Sequence, residues 1–191
     1  MPRYTVAVAF AMLAGAACPG GQSRQSPNGA PGAPAASARP DPAFAGTTAR
    51  LHRVPPGSGA PAAMLRSVTA ATARGYDRVV FEFASDSAPG YHVEYASGPV
   101  RRCGSGDVVS VAGTHRLVVR FEPARAHDDQ GNPIPQQREV ALELPAVKEM
   151  KLVCDFESQV EWVIGVAGAK PFRVSELTGP ARLLLDVKQG T

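Results

Sequence analysis

From residue 65 onward, apolar and polar positions alternate with a period of two, in short runs broken by turn residues. Val79, Phe81 and Phe83 alternate with Arg78, Val80 and Glu82, and Tyr91, Val93 and Tyr95 with His92 and Glu94. Leu117, Val119 and Phe121 fall among Arg116, Val118 and Arg120; Trp162, Ile164 and Val166 fall among Glu161, Val163 and Gly165. Phe172 and Val174 flank Arg173, and Leu183, Leu185 and Val187 close the series. Successive side chains of a strand point to opposite faces, so this rhythm predicts strands with one face in a core, Trp162, Tyr91 and Tyr95 among the inward residues. Ala88-Pro89-Gly90, Ser97-Gly98-Pro99, Gly104-Ser105-Gly106, Ala112-Gly113, Gly131-Asn132-Pro133 and Thr178-Gly179-Pro180 separate the runs and favour turns. Leu142 to Lys151 comes nearest to a helical segment, but Pro145 and the following Leu152-Val153-Cys154 make it a loop feeding a strand. The expected fold is all-β, a sandwich of roughly eight to ten short strands.

Composition divides the chain. Residues 19–64 hold 9 of the 18 prolines and 7 of the 19 glycines and almost no large apolar side chains, so they cannot bury enough surface to offset ordering entropy. This reads as a disordered tether over residues 18–64, with the domain at 65–191. Before it, Arg3 precedes the apolar run Val6 to Leu13 and the small residues Ala14-Gly15-Ala16-Ala17, the pattern of a secretory signal at residues 1–17. The run is shorter than the roughly 20 residues a permanent membrane helix needs. Small residues directly before Cys18 resemble a bacterial lipobox, in which the Cys is lipidated and becomes the first residue of the mature chain; Gly15 stands where the motif has Leu. That implies an exported lipoprotein held to a membrane through Cys18 and facing the periplasm or the cell exterior. Ordinary cleavage near Ala14-Gly15-Ala16 would instead leave Cys18 free.

Charge adds an exclusion. The formal +3 of the whole chain comes from Arg3 and the tether, leaving 15 basic and 16 acidic residues downstream. A nearly neutral domain lacks the clustered basic face that phosphate neutralisation needs, so nucleic acid is not an expected partner. Cysteine parity points the same way as export: with Cys18 lipidated, Cys103 and Cys154 are an even pair in an oxidising compartment and are expected to form a disulfide.

Two segments echo each other. Tyr76-Asp77-Arg78-Val79-Val80-Phe81-Glu82-Phe83 and Thr178 to Val187 each place an Arg before an apolar strand and an acid four residues on, Arg78 with Glu82 and Arg182 with Asp186. Together with Gly75, the Pro89-Gly90-Tyr91 turn, Trp162-Val163-Ile164-Gly165 and Phe172-Arg173-Val174, these segments resemble the AMIN family, most closely the AMIN-like domains of bacterial exported proteins and lipoproteins, over roughly Leu65 to Lys188. The resemblance implies a β-sandwich module, without catalytic signature, that localises to peptidoglycan or another envelope component. No amidase domain is expected within these 191 residues, in contrast to amidase-linked members.

Constellations for chemistry are sparse. His92, His115 and His127 stand singly, without the short-spaced partners of a zinc site, and no metal or cofactor is expected. His127-Asp128-Asp129 with Gly131-Asn132 is oxygen-rich but lacks the spacing of a calcium loop and reads as a solvated turn. No nucleophile-elbow pattern accompanies the serines, and no carboxylate pair stands out among Glu82, Glu94, Glu157 and Glu161, so the protein is not expected to be an enzyme. Binding is the expected role. Tyr76, beside Gly75, is the best exposed aromatic, and Arg78, Arg182 and Asp186 are the candidate polar groups, since a guanidinium fork can grip a carboxylate. The expected partner is peptidoglycan or another envelope glycan; the alternative is a chaperone-like or accessory subunit that pairs a strand edge with an envelope or secreted protein.

Overall fold

The computed structural model describes residues 44–57 and 59–190. The targeting segment, Cys18 and the tether as far as residue 43 lie outside the described residues. Eleven strands form two sheets, with no helix among the described residues. They are β1 (Leu51–Arg53), β2 (Ala63–Ala73), β3 (Tyr76–Phe83), β4 (Gly90–Tyr95), β5 (His115–Glu122), β6 (Ala124–Arg125), β7 (Glu139–Ala141), β8 (Val147–Phe156), β9 (Gln159–Val166), β10 (Phe172–Leu177) and β11 (Arg182–Lys188). One sheet runs β1-β4-β5-β9-β8-β7 and the other β10-β11-β3-β2-β6. The all-β sandwich expected from the period of two is what forms. Of the strands that the pattern does not give, β1, β6 and β7 have two or three residues and are too short to show a period, and β2 runs through small and polar side chains. β8 begins at Val147, inside the segment Leu142 to Lys151 expected as a loop.

The inward residues of both sheets make one core. Phe81 of β3 meets Phe121 of β5 edge-on at 5.0 Å and Trp162 of β9 at 6.4 Å, and Phe83 meets Phe121 at 5.0 Å. Such edge-to-face contacts add about 1 kcal/mol each beyond the area they bury. Asp77 is the inward exception on β3: it is wholly buried, and its carboxylate accepts bonds from the Ala146 and Val147 amides and from Gln189 Nε2. Those bonds satisfy an otherwise costly buried acid and tie β3 to the start of β8 in the other sheet.

On β9, alternation places Val163 and Gly165 outward, yet both are buried. The cause is the β4–β5 connection, which folds back as a strap over the outer face of the six-stranded sheet. Val100, Val109 and Val111 of the strap and Val153 and Val163 of the sheet form a second, smaller core. The Cys103–Cys154 disulfide, with 5.2 Å between its Cα atoms, fastens the strap to β8. At Gly165 the strap approaches so closely that a Cβ would lie 1.8 Å from the Ala112 carbonyl oxygen. Only glycine fits there.

The folded region also begins earlier than Leu65. Thr47 exchanges backbone hydrogen bonds with Phe172 at 2.8 Å each way, and β1 pairs with β4. Residues 44–53, which composition assigns to the tether, are therefore held by these backbone bonds, by Leu51 packed against the core and by Phe44 against Arg173; the segment is too short to show an apolar period.

Candidate functional site

The two echoing segments are neighbours. β11 pairs antiparallel with β3 in a register that sets Asp186 opposite Arg78 and Arg182 opposite Glu82. Residues four apart along a strand are about 13 Å apart and cannot form an ion pair. Two strands that each carry Arg and then an acid four residues later, laid antiparallel, bring each Arg to the other strand's acid. The Arg78 guanidinium donates from Nε and Nη2 to the two Asp186 oxygens at 2.6 and 2.9 Å, a bidentate fork.

A third residue joins through the β10–β11 hairpin, whose register puts Arg173 on the other side of Asp186, where its Nε donates to Oδ2 at 2.8 Å. Asp186 is 1% exposed although it lies on the outer face of the five-stranded sheet, because the two guanidiniums cover it. The Arg78 pKa is raised above its ordinary value, chiefly by the hydrogen bond to Asp186, with desolvation working against it. The row is capped by aromatic rings. The Arg173 guanidinium carbon lies 4.7 Å from the Phe44 ring centre and 5.1 Å from that of Tyr76, and that of Arg78 lies 5.2 Å from Tyr76.

Beside the row opens a cleft of about 320 Å³ lined by Phe44, Arg74, Gly75, Tyr76, Arg173, Lys188 and Gln189. Its rim is the β2–β3 turn, where Gly75 takes φ +84°, the left-handed region that glycine enters without strain. Neither Arg74 nor Lys188 forms an ion pair among the described residues. The cleft thus combines aromatic surface with three cations, Arg74, Arg173 and Lys188, and the nearby Asp186 carboxylate is already shared between Arg173 and Arg78. This suits an anion attached to something flat. A wider depression of about 410 Å³, at the start of the strap, offers less for recognition: its Arg120 is already paired with Glu161 at 2.8 Å, and Glu94 adds further negative charge.

The segments that build this face carry the family pattern. The family model of the AMIN-like domain matches residues 63–189. The chain belongs to the AMIN-like domain family. Neither the curated proteins nor the solved structures contain a match to it. The match spans β2 to β11 and includes every lining residue of the cleft except Phe44, which comes from the segment before it.

Of the candidate residues, this AMIN-like domain brings Tyr76, Arg78 and Asp186 together. Arg182 stands apart, at the other end of the β3–β11 ladder, and its Nε is buried without a partner. Tyr76 is half-buried at the head of β3, its ring 6.0 Å from that of Phe44. Tyr95 is turned to packing, with its hydroxyl donating to the Lys170 carbonyl at 2.7 Å, and burial raises its pKa. Tyr91 donates to Glu176 at 3.2 Å; its pKa is raised by burial first and by Glu176 second. Trp162 is fully buried. The histidines are engaged separately: His92 stacks on His52, His115 lies 3.1 Å from the Thr114 hydroxyl, and His127 Nδ1 lies 2.9 Å from Asp155 Oδ1. Arg173, Arg74, Lys188 and Phe44 were missed. Arg173 could have been found by laying Phe172-Arg173-Val174 antiparallel to Leu185-Asp186-Val187, and Phe44 as a solitary aromatic amid prolines.

Proposed function

We propose that the protein is a non-catalytic envelope-binding module, anchored to a membrane by a lipid on Cys18, that holds an anionic component of peptidoglycan in the cleft of Tyr76, Arg74, Arg173 and Lys188. The observation that carries this reading is the excess of cations in an aromatic-lined cleft on a face that no other part of the described chain covers. Membership in the AMIN-like family supports an envelope location and a binding role. In this reading Tyr76 and Phe44 present flat surface to a sugar or peptide plane. Arg78 and Asp186 keep Arg173 in place, and Arg74 and Lys188 meet the carboxylate. A preformed row loses little side-chain entropy on binding.

The test is co-sedimentation of the oxidised full chain with purified peptidoglycan sacculi, at low and high salt, beside Tyr76→Ala, Arg173→Ala and Arg182→Ala. Saturable binding that salt weakens, lost in Tyr76→Ala and Arg173→Ala while both keep a cooperative melt, is the expected result. Arg182→Ala, away from the cleft, should bind like the parent chain. Equal binding by all variants would remove the cleft from the reading, and no binding by the parent would remove peptidoglycan. The intact mass of the chain recovered from membranes checks the lipid on Cys18.

A further inference from the structure

The four sheet edges are treated unequally. The six-stranded sheet ends in β1 and β7, three residues each. In the five-stranded sheet, β10 is bridged by Thr47, and its Glu176 is engaged by Arg53 and Tyr91. The opposite edge differs. β2 is the longest strand, yet its outer neighbour β6 covers only Ala63 and Met64. From Leu65 to Ala73 the strand pairs with β3 on one side and with nothing among the described residues on the other. The usual protection against pairing is confined to the start of this edge, where a bulge falls at Arg66. The run after it, Ser67-Val68-Thr69-Ala70-Ala71-Thr72-Ala73, has no proline and no charge.

We infer that the free edge of β2 is a docking site for an extended segment of a protein partner, which adds as a sixth strand and carries acidic residues at its ends. Charge complementarity selects that chemistry. Arg66 and Arg74 bracket the neutral run, and Arg78, about a third exposed, stands opposite Ala71 in the register. No Asp or Glu occurs between Val54 and Tyr76. Glu82 and Asp86 lie near the Arg66 end only, and Arg66 forms an ion pair with neither, so the Arg74 end is the more strongly basic. A second copy of β2 would bring no acid to either arginine, and pairing centred on Ala70 would set Arg66 against the copy's Arg74. The chain's own residues 19–43 are interrupted by Pro27, Pro31, Pro34, Pro40 and Pro42, which cannot donate to a ladder. Main-chain bonds along the strand would supply the affinity, and the acidic ends the register.

The test selects displayed random dodecapeptides on the oxidised full chain, synthesises the winners and follows backbone amide exchange. The expected winners alternate β-branched residues and end in Asp or Glu, and they slow exchange at outward amides between Leu65 and Ala73 at least about tenfold. Thr69→Pro and Ala70→Pro direct the lost amide to opposite sides of the strand, so one of them blocks the free edge while sparing the β3 ladder. The variant that keeps the parental melt should lose the peptide, and Arg66→Glu should weaken binding about threefold, the scale of one exposed charge pair. Winners without acidic ends, or protection elsewhere in the chain, would overturn the inference. Sedimentation showing that the chain dimerises, with the same amides protected, would overturn it in favour of a second copy.

Discussion

The outer faces of the two sheets are finished in opposite ways. The six-stranded sheet is roofed by the β4–β5 strap, which buries valines on both sides of the contact and is fastened by the Cys103–Cys154 disulfide. The five-stranded sheet is left open, and its outer residues form a polar row from Arg173 through Asp186 to Arg78, with rings at one end and a bare strand edge at the other. Burying valine lowers free energy wherever it happens, whereas a charged row in contact with water contributes little to stability. The roofed face therefore reads as scaffold and the open face as the one that meets other molecules.

If that division holds, damage to the roof costs stability first. Replacing both Cys103 and Cys154 by Ala should produce the largest loss, about 4 kcal/mol from reopening a loop with a sequence separation of 51 residues. Chemical denaturation of the oxidised parent and the variant measures it, and a loss below about 1 kcal/mol would show that the valines alone hold the strap. Gly165→Ala comes next. Its Cβ would collide with the Ala112 carbonyl, backbone that cannot swing aside, so the strap must lift, at a cost of about 2–3 kcal/mol. The same substitution at Gly75, with nothing within 4 Å, meets no such collision; its cost would come from φ +84° alone, about 1 kcal/mol.

The open face should respond in the reverse sense. Asp186→Ala leaves Arg78 and Arg173 without their shared acceptor. Because both guanidiniums are about a third exposed and can turn to water, the stability loss should be only about 1–2 kcal/mol. Its larger effect should be on sacculus binding, since Arg173 is no longer held between Phe44 and Tyr76. A variant that melts like the parent and binds like it would remove the row from the site.

How much of this was readable in the sequence follows from the range of the interactions. The core strands announce themselves because alternation is local: Phe81, Phe121 and Trp162 were assigned inward, and they meet in the centre. The disulfide was legible from parity. The Arg-acid echo is visible too, but its meaning is not, because the acid that Arg78 binds lies on the strand opposite and not four residues along its own. Val163 and Gly165 looked solvent-facing because nothing in β9 records that a segment some fifty residues earlier returns to cover it. Phe44 was hidden by its surroundings, a composition that signals tether on both sides. The site was thus half legible: Tyr76, Arg78 and Asp186 came from their own strands, whereas Arg173, Lys188 and Phe44 needed the pairing of β10 with β11 and of Thr47 with Phe172.

The smallest expected effect concerns a loop that belongs to neither outer face. The Asp128 carboxylate accepts bonds from the Asn132 side chain and amide, both at 2.8 Å, and from the Gln130 amide at 2.9 Å. These bonds, the Asn132 side chain foremost, hold its pKa below the ordinary carboxylate value of 3.8. A carboxyl whose folded pKa is depressed stabilises the fold above its unfolded value and loses that contribution as the pH falls through the folded one. The loop from Asp128 to Asn132 should therefore loosen only below about pH 4, where the ordinary carboxylate range ends. Amide resonances of Gln130 and Asn132 followed through an acid titration should shift together in that window, while those of the strap stay fixed. In Asp128→Ala the shift should vanish. Because Asp128 bonds only within its own surface loop, the melting temperature of that variant should stay close to the parent's, and a drop as large as that expected for Gly165→Ala would mean that this loop, too, is part of the scaffold.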